Sequence, residues 1–317
     1  MSLSVLILGG SGFVGQALCE QLTRQMGGAA RITVPTRRWA AGKTVQSIPG
    51  VTVVQADVFN DLPRLVPGHD AVVNLIAILQ GSAAAFEHVH VELPRRIAPA
   101  MHGAGVKRLV HVSALGVAEH APSRYLRSKA AGEAVLQVAA QTQGLELTLL
   151  RPSLLFGDGD ASVNLFARLQ RVFPLMPLAG ADARLQPVWV QDLARAIVQV
   201  LLRPDTAGQT FEIAGPRVLT LAELVKLAGR VAGCPRPVLP LPGPLATLQA
   251  LAMECLPGEP LISRDNLASL SVPNVPGGQL PGLAALGITP ASLEAVLPTY
   301  LAPGSGVARL DAWRARH

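Results

Sequence analysis

The stretch SRYLRSKAAGE at residues 123 to 133 holds a tyrosine and a lysine four positions apart, Tyr125 and Lys129. In a helix, residues at i and i+4 share a face one turn apart, so a phenol and an ammonium would stand side by side. An ammonium in that place could lower the phenol's pKa and hold the hydroxyls of a sugar. Two chemistries are open on these residues, a working proton donor or a clamp for a bound cofactor. The plainer alternative is a half-buried packing tyrosine on an ordinary helix.

A second cluster opens the chain. The apolar run LSVLIL is followed at once by GGSGFVG, with Gly9, Gly12 and Gly15 spaced three apart. Glycine permits a tight turn at the first position, close approach of backbone to a pyrophosphate at the second and close helix packing at the third. The helix N-terminus behind them supplies N–H donors and a positive dipole. Between a strand and a helix this triplet reads as a dinucleotide-binding turn. Where a NAD site would place an acid to bond the ribose hydroxyls, the chain has VPTRR, with Arg37 and Arg38. A guanidinium there would receive a 2′-phosphate, which favours NADP(H) over NAD(H); two solvated loop arginines are the alternative. Asp57, after VVQA, stands where a third-strand acid could accept from an adenine amino group, or could simply start a turn.

Behind these residues, the first half alternates short apolar runs with helical patterns: LSVLIL, a helix from about 12 to 26, RITVP, VTVVQAD, DAVVNLI, a helix near 84 to 104, and KRLVHVS. Strands apolar on both faces, alternating with helices, specify a parallel sheet covered by helices. The SRYLRSK helix follows, then the strand LELTLLRPS, which Pro152 ends. Beyond it come a helix near 161 to 173, a strand around LQPVWV, a helix from Asp192 to about 202 and the short strand QTFEIAG. Leu219 to Val231 reads as a helix with Thr220 as N-cap and Glu223 three residues on. CPRPVLPLPGPL reads as a proline-rich connection, and 245 to 317 as helices broken by Pro and Gly without a sheet. The expected fold is α/β, a Rossmann-like doubly wound parallel sheet with a smaller, mostly helical C-terminal part. Residues 1 to 152 would form the dinucleotide-binding core. Residues 153 to 317 would form a substrate or partner region with returning strands.

The chain has 317 residues, half of them apolar and 15% charged, enough for a large core and more than one compact domain usually holds. Its 27 basic residues outnumber 21 acidic ones, but they are scattered, and aromatics are only 4%. A stacking platform or dense basic stripe is lacking, which argues against nucleic acid as a partner. Cys19, Cys234 and Cys255 lie far apart with no CxxC, so they read as free thiols in a reducing compartment. His88 and His90 form a close pair without a carboxylate or cysteine cluster, and no metal site is expected. The start of the chain reads as a core strand rather than a signal peptide, and no window reaches the roughly 18 apolar residues of a membrane span.

Taken together, GGSGFVG, the QAD at 55 to 57, NLIAI at 74 to 78, HVSALG, Tyr125 with Lys129, and RPSLLFG at 151 to 157 resemble an extended or atypical short-chain dehydrogenase/reductase. More narrowly, PTRR, SRYLRSKAAGE, QPVWVQDLA, ISRDNL and LPGLAALGI are similar to the NADPH-binding accessory subunits of respiratory complex I. The resemblance implies a nicotinamide dinucleotide held by Gly9, Ser11, Gly12, Phe13, Val14 and Gly15, by Arg37 and Arg38, and by Asp57 and Val58. It adds Leu75, Ile76 and Ala77, Tyr125 and Lys129, and Pro152 and Leu154. In catalytic relatives the tyrosine passes a proton, the lysine lowers its pKa and bonds the ribose, and a serine polarises the carbonyl, which maps onto Tyr125, Lys129 and Ser113. In the complex I subunits the bound NADPH has a structural role, so the same resemblance also implies a non-catalytic module with a respiratory or membrane-surface partner. An epimerase or dehydratase with tightly held cofactor is a third possibility. Cytoplasmic placement, or a peripheral one at an inner membrane, goes with these readings. The segments LFARLQRVFPLMPLAG and LPLPGPLATLQALAMECL would suit an apolar small-molecule substrate better than a sugar nucleotide, whose phosphates call for convergent cations.

Overall fold

Seven apolar runs of the sequence become the strands of one parallel sheet: β1 (Leu3–Leu8), β2 (Ala30–Thr36), β3 (Val51–Gln55), β4 (Ala71–Asn74), β5 (Arg108–Val112), β6 (Glu146–Pro152) and β7 (Thr210–Ile213). The computed structural model describes residues 2–255 and 260–304. The strand order is β7-β6-β5-β4-β1-β2-β3, and every neighbouring pair is parallel. Val5 through Leu8 are fully buried because helices cover both faces of the sheet, which is why this strand is continuously apolar rather than alternating. The order turns back beside β1, and in such sheets the ligand crevice opens at that point beyond the carboxyl ends of the strands.

The covering helices are α1 (Phe13–Met26), α2 (Trp39–Gln46), α3 (Val58–Leu65), α4 (Ala83–Glu87), α5 (Leu93–Gly103), α6 (Arg124–Gln143) and α7 (Val190–Leu202). A π-helical turn, His88–Glu92, joins α4 to α5, so the run expected near 84 to 104 is helical throughout but widened in the middle. The widened turn lies against α6. A β-carbon on Gly132 would sit 2.0 Å from the carbonyl oxygen of His90, so only glycine lets the two helices meet there. Leu6, Leu8, Leu62, Leu93, Ile97 and Leu136 belong to one core between the sheet and these helices.

The chain forms two compact units, one of Met1–Pro152, Val190–Ile213 and Gly277–Ile288, the other of Ser153–Trp189, Ala214–Pro276 and Thr289–His317. Residues from 153 onward therefore contribute to both units. Val190–Ile213 supplies α7 and β7 to the sheet unit, and Gly277–Ile288 closes on it: Glu212 N–H donates to the Pro281 carbonyl at 2.9 Å, and Gly277 N–H donates to the Glu212 carboxylate at 2.8 Å.

The second unit holds the helices Val163–Val172, Leu221–Val231, Gly243–Glu254 and Arg264–Leu270 and three short strand pairs. Thr220 caps its helix as expected, accepting from Glu223 N–H at 3.1 Å while Glu223 accepts from Thr220 N–H at 2.7 Å. The proline-rich connection is a correction: Val238–Leu241 is a strand, parallel to Met176–Ala179. Each member of a two-stranded pair has an open edge, so Pro240 and Pro177 lose no ladder bond that the pair requires. The strand expected around LQPVWV is two short pieces, Arg184–Leu185 and Val188–Trp189. What was expected of residues 256 to 259 and 305 to 317 lies outside the described residues.

Candidate active site

Because all seven strands run the same way, the segments that follow them gather along one edge of the sheet. The glycine turn follows β1, Arg37 and Arg38 follow β2, Asp57 follows β3, Leu75 to Ala77 follow β4, Ser113 follows β5, and Pro152 ends β6. Gly9 has φ +84°, open to glycine and strained for a side chain, and a β-carbon there would press on Ile76 at 3.2 Å. The turn and the 75–77 segment are thus packed together. A β-carbon on Gly15 would sit 2.4 Å from Gly10 Cα, so α1 can start against the turn only with glycine here. Gly12 is the N-cap of α1 and brings no side chain to its first N–H groups, which follow at Phe13, Val14 and Gly15. Ser11 is the remaining member of that turn. Gly15→Ala is expected to lower stability by about 1–3 kcal/mol through overpacking. Because the turn itself must shift, dinucleotide affinity falls by about tenfold or more, as read by titration and thermal shift.

Arg37 and Arg38 are exposed, and among the described residues neither guanidinium is in an ion pair. The Thr36 hydroxyl donates to the Arg38 carbonyl at 3.0 Å and holds the bend that projects them. Asp57 is the N-cap of α3, accepting from Phe59 N–H at 3.2 Å and from the Asn60 amide at 2.9 Å. Instead of only starting a turn, the alternative the sequence offered, its carboxylate caps a helix of which Val58 is the first residue.

Lys129 is 2% exposed, and its Nζ donates to the Val112 carbonyl at 2.8 Å. Burial pulls its pKa down to about 8, against the pull of nearby Glu133, which favours the charge. Tyr125, one turn earlier, is half-buried, and burial pushes its phenol up to about 12. In the folded chain burial raises the phenol rather than leaving it lowered as the sequence suggested.

Ser113 follows directly on Val112, and its Oγ is buried with no hydrogen-bond partner among the described residues. A buried hydroxyl without a partner is costly, so its retention at this edge points to a ligand group that completes it. The orphaned hydroxyl and the glycine cradle both fit a nicotinamide dinucleotide. Leu115 N–H donates to the Pro152 carbonyl at 3.0 Å, tying the segment after β5 to the end of β6. Leu154 belongs to the second unit, where its N–H donates to the Asn274 side-chain oxygen at 2.8 Å.

Two histidines and an asparagine that the sequence did not suggest as cofactor or catalytic residues are bonded to the segments beside Tyr125 and Ile76. Ile78 N–H donates to His90 Nε2 at 3.1 Å, so that nitrogen carries no proton and Nδ1–H is left to donate to Ser128 Oγ at 2.8 Å. The Ser128 hydroxyl then donates to the Tyr125 carbonyl at 2.8 Å. Burial, aided by Lys129, holds His90 down at about 3, so this relay of bonds is neutral. Rings of Phe86 and His90 stand edge-on to Tyr125, with centroids at 6.3 and 5.6 Å. The Asn74 amide donates to His111 Nδ1 at 3.1 Å, and its oxygen accepts from Ile76 N–H at 3.2 Å, fixing the segment after β4. Burial and the charge of Lys129 hold His111 well below its ordinary pKa. The His88 and His90 pair, singled out in the sequence as the nearest approach to a metal motif, is divided: His90 anchors α6, and His88 stacks on Phe59 at 3.9 Å. Among the described residues no group of His, Cys, Asp and Glu is arranged to hold a metal, and no helix is long and apolar enough to cross a membrane.

Comparison with known proteins agrees with this geometry. The chain is 31% identical over 299 residues to the mitochondrial NADH dehydrogenase (ubiquinone) 1 alpha subcomplex subunit 9 of Mus musculus, covering 91% of this chain and 77% of that protein. In the rat counterpart the match spans only 55% of the relative's length. A ceramide reductase of Caulobacter vibrioides is 27% identical over 76% of this chain and 74% of its own. Among solved structures, a dTDP-glucose 4,6-dehydratase from Streptomyces venezuelae with NAD bound superposes with a TM-score of 0.72 at 22% identity, over 94% of this chain and 96% of that one. The family model described as "NAD dependent epimerase/dehydratase family" matches residues 5–214. With a seven-stranded Rossmann-like sheet, a nicotinamide-dinucleotide turn and that match over most of its length, the chain belongs to the NAD dependent epimerase/dehydratase family of extended short-chain dehydrogenase/reductases.

Proposed function

We propose that this protein is an NADP(H)-dependent oxidoreductase acting on an apolar carbonyl or quinone-like substrate, placed in the cytoplasm and peripheral at a membrane. One observation carries the reading: a buried Ser113 hydroxyl without a partner, next in the chain to the carbonyl that holds the buried Lys129 ammonium. When bound, the reduced dinucleotide supplies a hydride. Charge would then grow on the substrate's carbonyl oxygen, to which Ser113 Oγ–H would donate a hydrogen bond and Tyr125 would give a proton. Lys129 stabilises the phenolate left behind until solvent returns the proton. Arg37 and Arg38, exposed and outside any ion pair among the described residues, suit the 2′-phosphate of NADP(H). An apolar substrate is supported by the leucine- and proline-rich second unit and by the likeness to a ceramide reductase.

A second reading is a module that holds NADPH without turnover as an accessory of a respiratory assembly. It is favoured by the likeness to the complex I subunit over 91% of the chain. Deuterated NADPH separates the two. In the enzyme, deuterium appears in the alcohol formed from a long-chain aldehyde or ketone. In the accessory, NADPH binds and exchanges slowly while no member of an apolar carbonyl panel acquires label, and the catalytic reading fails. In either case Arg37→Ala with Arg38→Ala should weaken NADPH by about 10–100-fold, from the loss of hydrogen bonds to a charged group, and leave NADH nearly unchanged. Equal affinity for both cofactors in the unsubstituted protein would remove the NADP(H) preference.

A further inference from the structure

The second unit exposes apolar side chains where a water-facing surface would bury or avoid them. Residues 171 to 175, RVFPL, are all exposed, and the paired strand Val238–Leu241 leads into the helix Gly243–Glu254. These segments are one surface. Met176 N–H donates to the Pro237 carbonyl at 3.0 Å, Leu239 pairs with Pro177, and Gln249 of the helix donates to the Pro177 carbonyl at 3.3 Å. Phe173, Leu175, Leu239, Leu245, Leu248 and Leu251 are each between 43 and 61% exposed on it. Single exposed apolar side chains need no explanation, but six on adjoining segments do.

The charge on the same segments is one-sided. Arg168 and Arg171 precede Val172 and Phe173 in the chain and are exposed, and Arg236 reaches the same segment, its Nε donating to the Gln170 carbonyl at 3.0 Å. Between 163 and 175 there is no carboxylate, and between 235 and 255 there is one, Glu254, which is paired with Arg264. A protein surface that covered this face would have to bring apolar area and several acids in register. An anionic bilayer offers both at once, headgroup phosphates for the guanidinium groups and an acyl boundary for the leucines and Phe173.

We infer that this face of the second unit docks on an anionic lipid bilayer. The inference rests on the peripheral placement in the reading above and gives it a surface, while using none of its redox chemistry. The full chain is mixed with phosphatidylcholine vesicles, with or without phosphatidylglycerol, and the bound fraction is measured by flotation; NADPH affinity is measured on the same samples. The unsubstituted protein should float with the anionic vesicles and be released by added salt. Arg168→Gln with Arg171→Gln should weaken this by about 25-fold, about fivefold per arginine. Phe173→Glu with Leu248→Glu should abolish it, with NADPH affinity unchanged in both variants. The inference is overturned if the unsubstituted protein stays unbound with anionic vesicles, or if both double variants bind NADPH and still float as it does. A concentration-dependent dimer lost in Phe173→Glu with Leu248→Glu, without flotation, would also overturn it and assign the face to a second copy. Flotation without NADPH binding would defeat the dinucleotide reading and leave the docking face standing.

Discussion

Lys129→Met is expected to give a protein that is more stable at neutral pH and has lost turnover. The ammonium is 2% exposed, and burial brings it from an ordinary 10.5 to about 8 in spite of Glu133 nearby. That gap corresponds to about 3 kcal/mol of penalty for carrying the charge in the folded state. The sign follows from the direction. The folded pKa lies below the unfolded one, so the charge opposes folding at neutral pH, and stability rises as pH climbs from about 8 towards 10.5. Methionine fills a similar volume with no charge, removing the penalty but also the bond to the Val112 carbonyl, which contributes about 1 kcal/mol. Denaturant titration should therefore show a net gain of about 1–2 kcal/mol at neutral pH that disappears above the unfolded pKa. Turnover should fall by about 10²–10⁴, the range for a lost proton-transfer partner, and cofactor affinity should fall with it. Tyr125→Phe is the control. Its phenol is neutral at pH 7 in both states, so turnover falls while stability keeps its pH profile and the cofactor still binds. A Lys129→Met protein less stable than its parent at neutral pH would remove the buried-charge account, and one that still turned over would remove the catalytic one.

The same lysine illustrates which features could be read from the chain. Its four-residue spacing from Tyr125, the glycine triplet and the paired arginines are local patterns, and strands buried on both faces are continuous apolar runs, so the sheet and its cofactor turn are legible. The bonds that hold the site rigid are not. His90 reaches Ser128 across 38 residues and Asn74 reaches His111 across 37, and no periodicity encodes such partners. Gly132 looks like any helical glycine until the His90 carbonyl is found 2.0 Å from where its β-carbon would be. In the second unit the signal is weaker because the elements are short. The two-residue pieces Arg184–Leu185 and Val188–Trp189 have no period to detect, and Val238–Leu241 is disguised by prolines that an open strand edge tolerates. The return of Gly277–Ile288 to the sheet unit depends on bonds to Glu212 and is invisible in a loop-like stretch of Pro and Gly.

Arg151→Ala is expected to destabilise the sheet unit by about 3–5 kcal/mol, more than any exposed ion pair of this protein could account for. Glu133 lies on α6, one turn beyond Lys129, and its side chain is only 3% exposed; Arg151, on β6, is 24% exposed and donates to it through both Nε, at 3.0 Å, and Nη2. Removing the arginine leaves a carboxylate in a place water does not reach, and most of the cost is that desolvation rather than the lost attraction. Glu133→Ala should cost less, because the partly exposed guanidinium can turn outward to solvent. Glu133→Leu with Arg151→Met should recover most of the loss, since an apolar pair of similar volume needs no partner. Arg203 and Asp205 provide the contrast: that pair is exposed on both sides, and breaking it with Asp205→Asn should leave stability nearly unchanged. Chemical denaturation of the four variants, with hydrogen exchange on β6 as the local probe, tests the ordering. If Glu133→Ala proved as costly as Arg151→Ala, or the apolar double variant failed to recover, the pair would be a source of net attraction and the desolvation account would be wrong. Lys129 supplies an independent check, because the Glu133 carboxylate favours its charge. Glu133→Gln should therefore lower the pH at which Lys129 loses its proton, and with it the alkaline edge of any activity that depends on the ammonium.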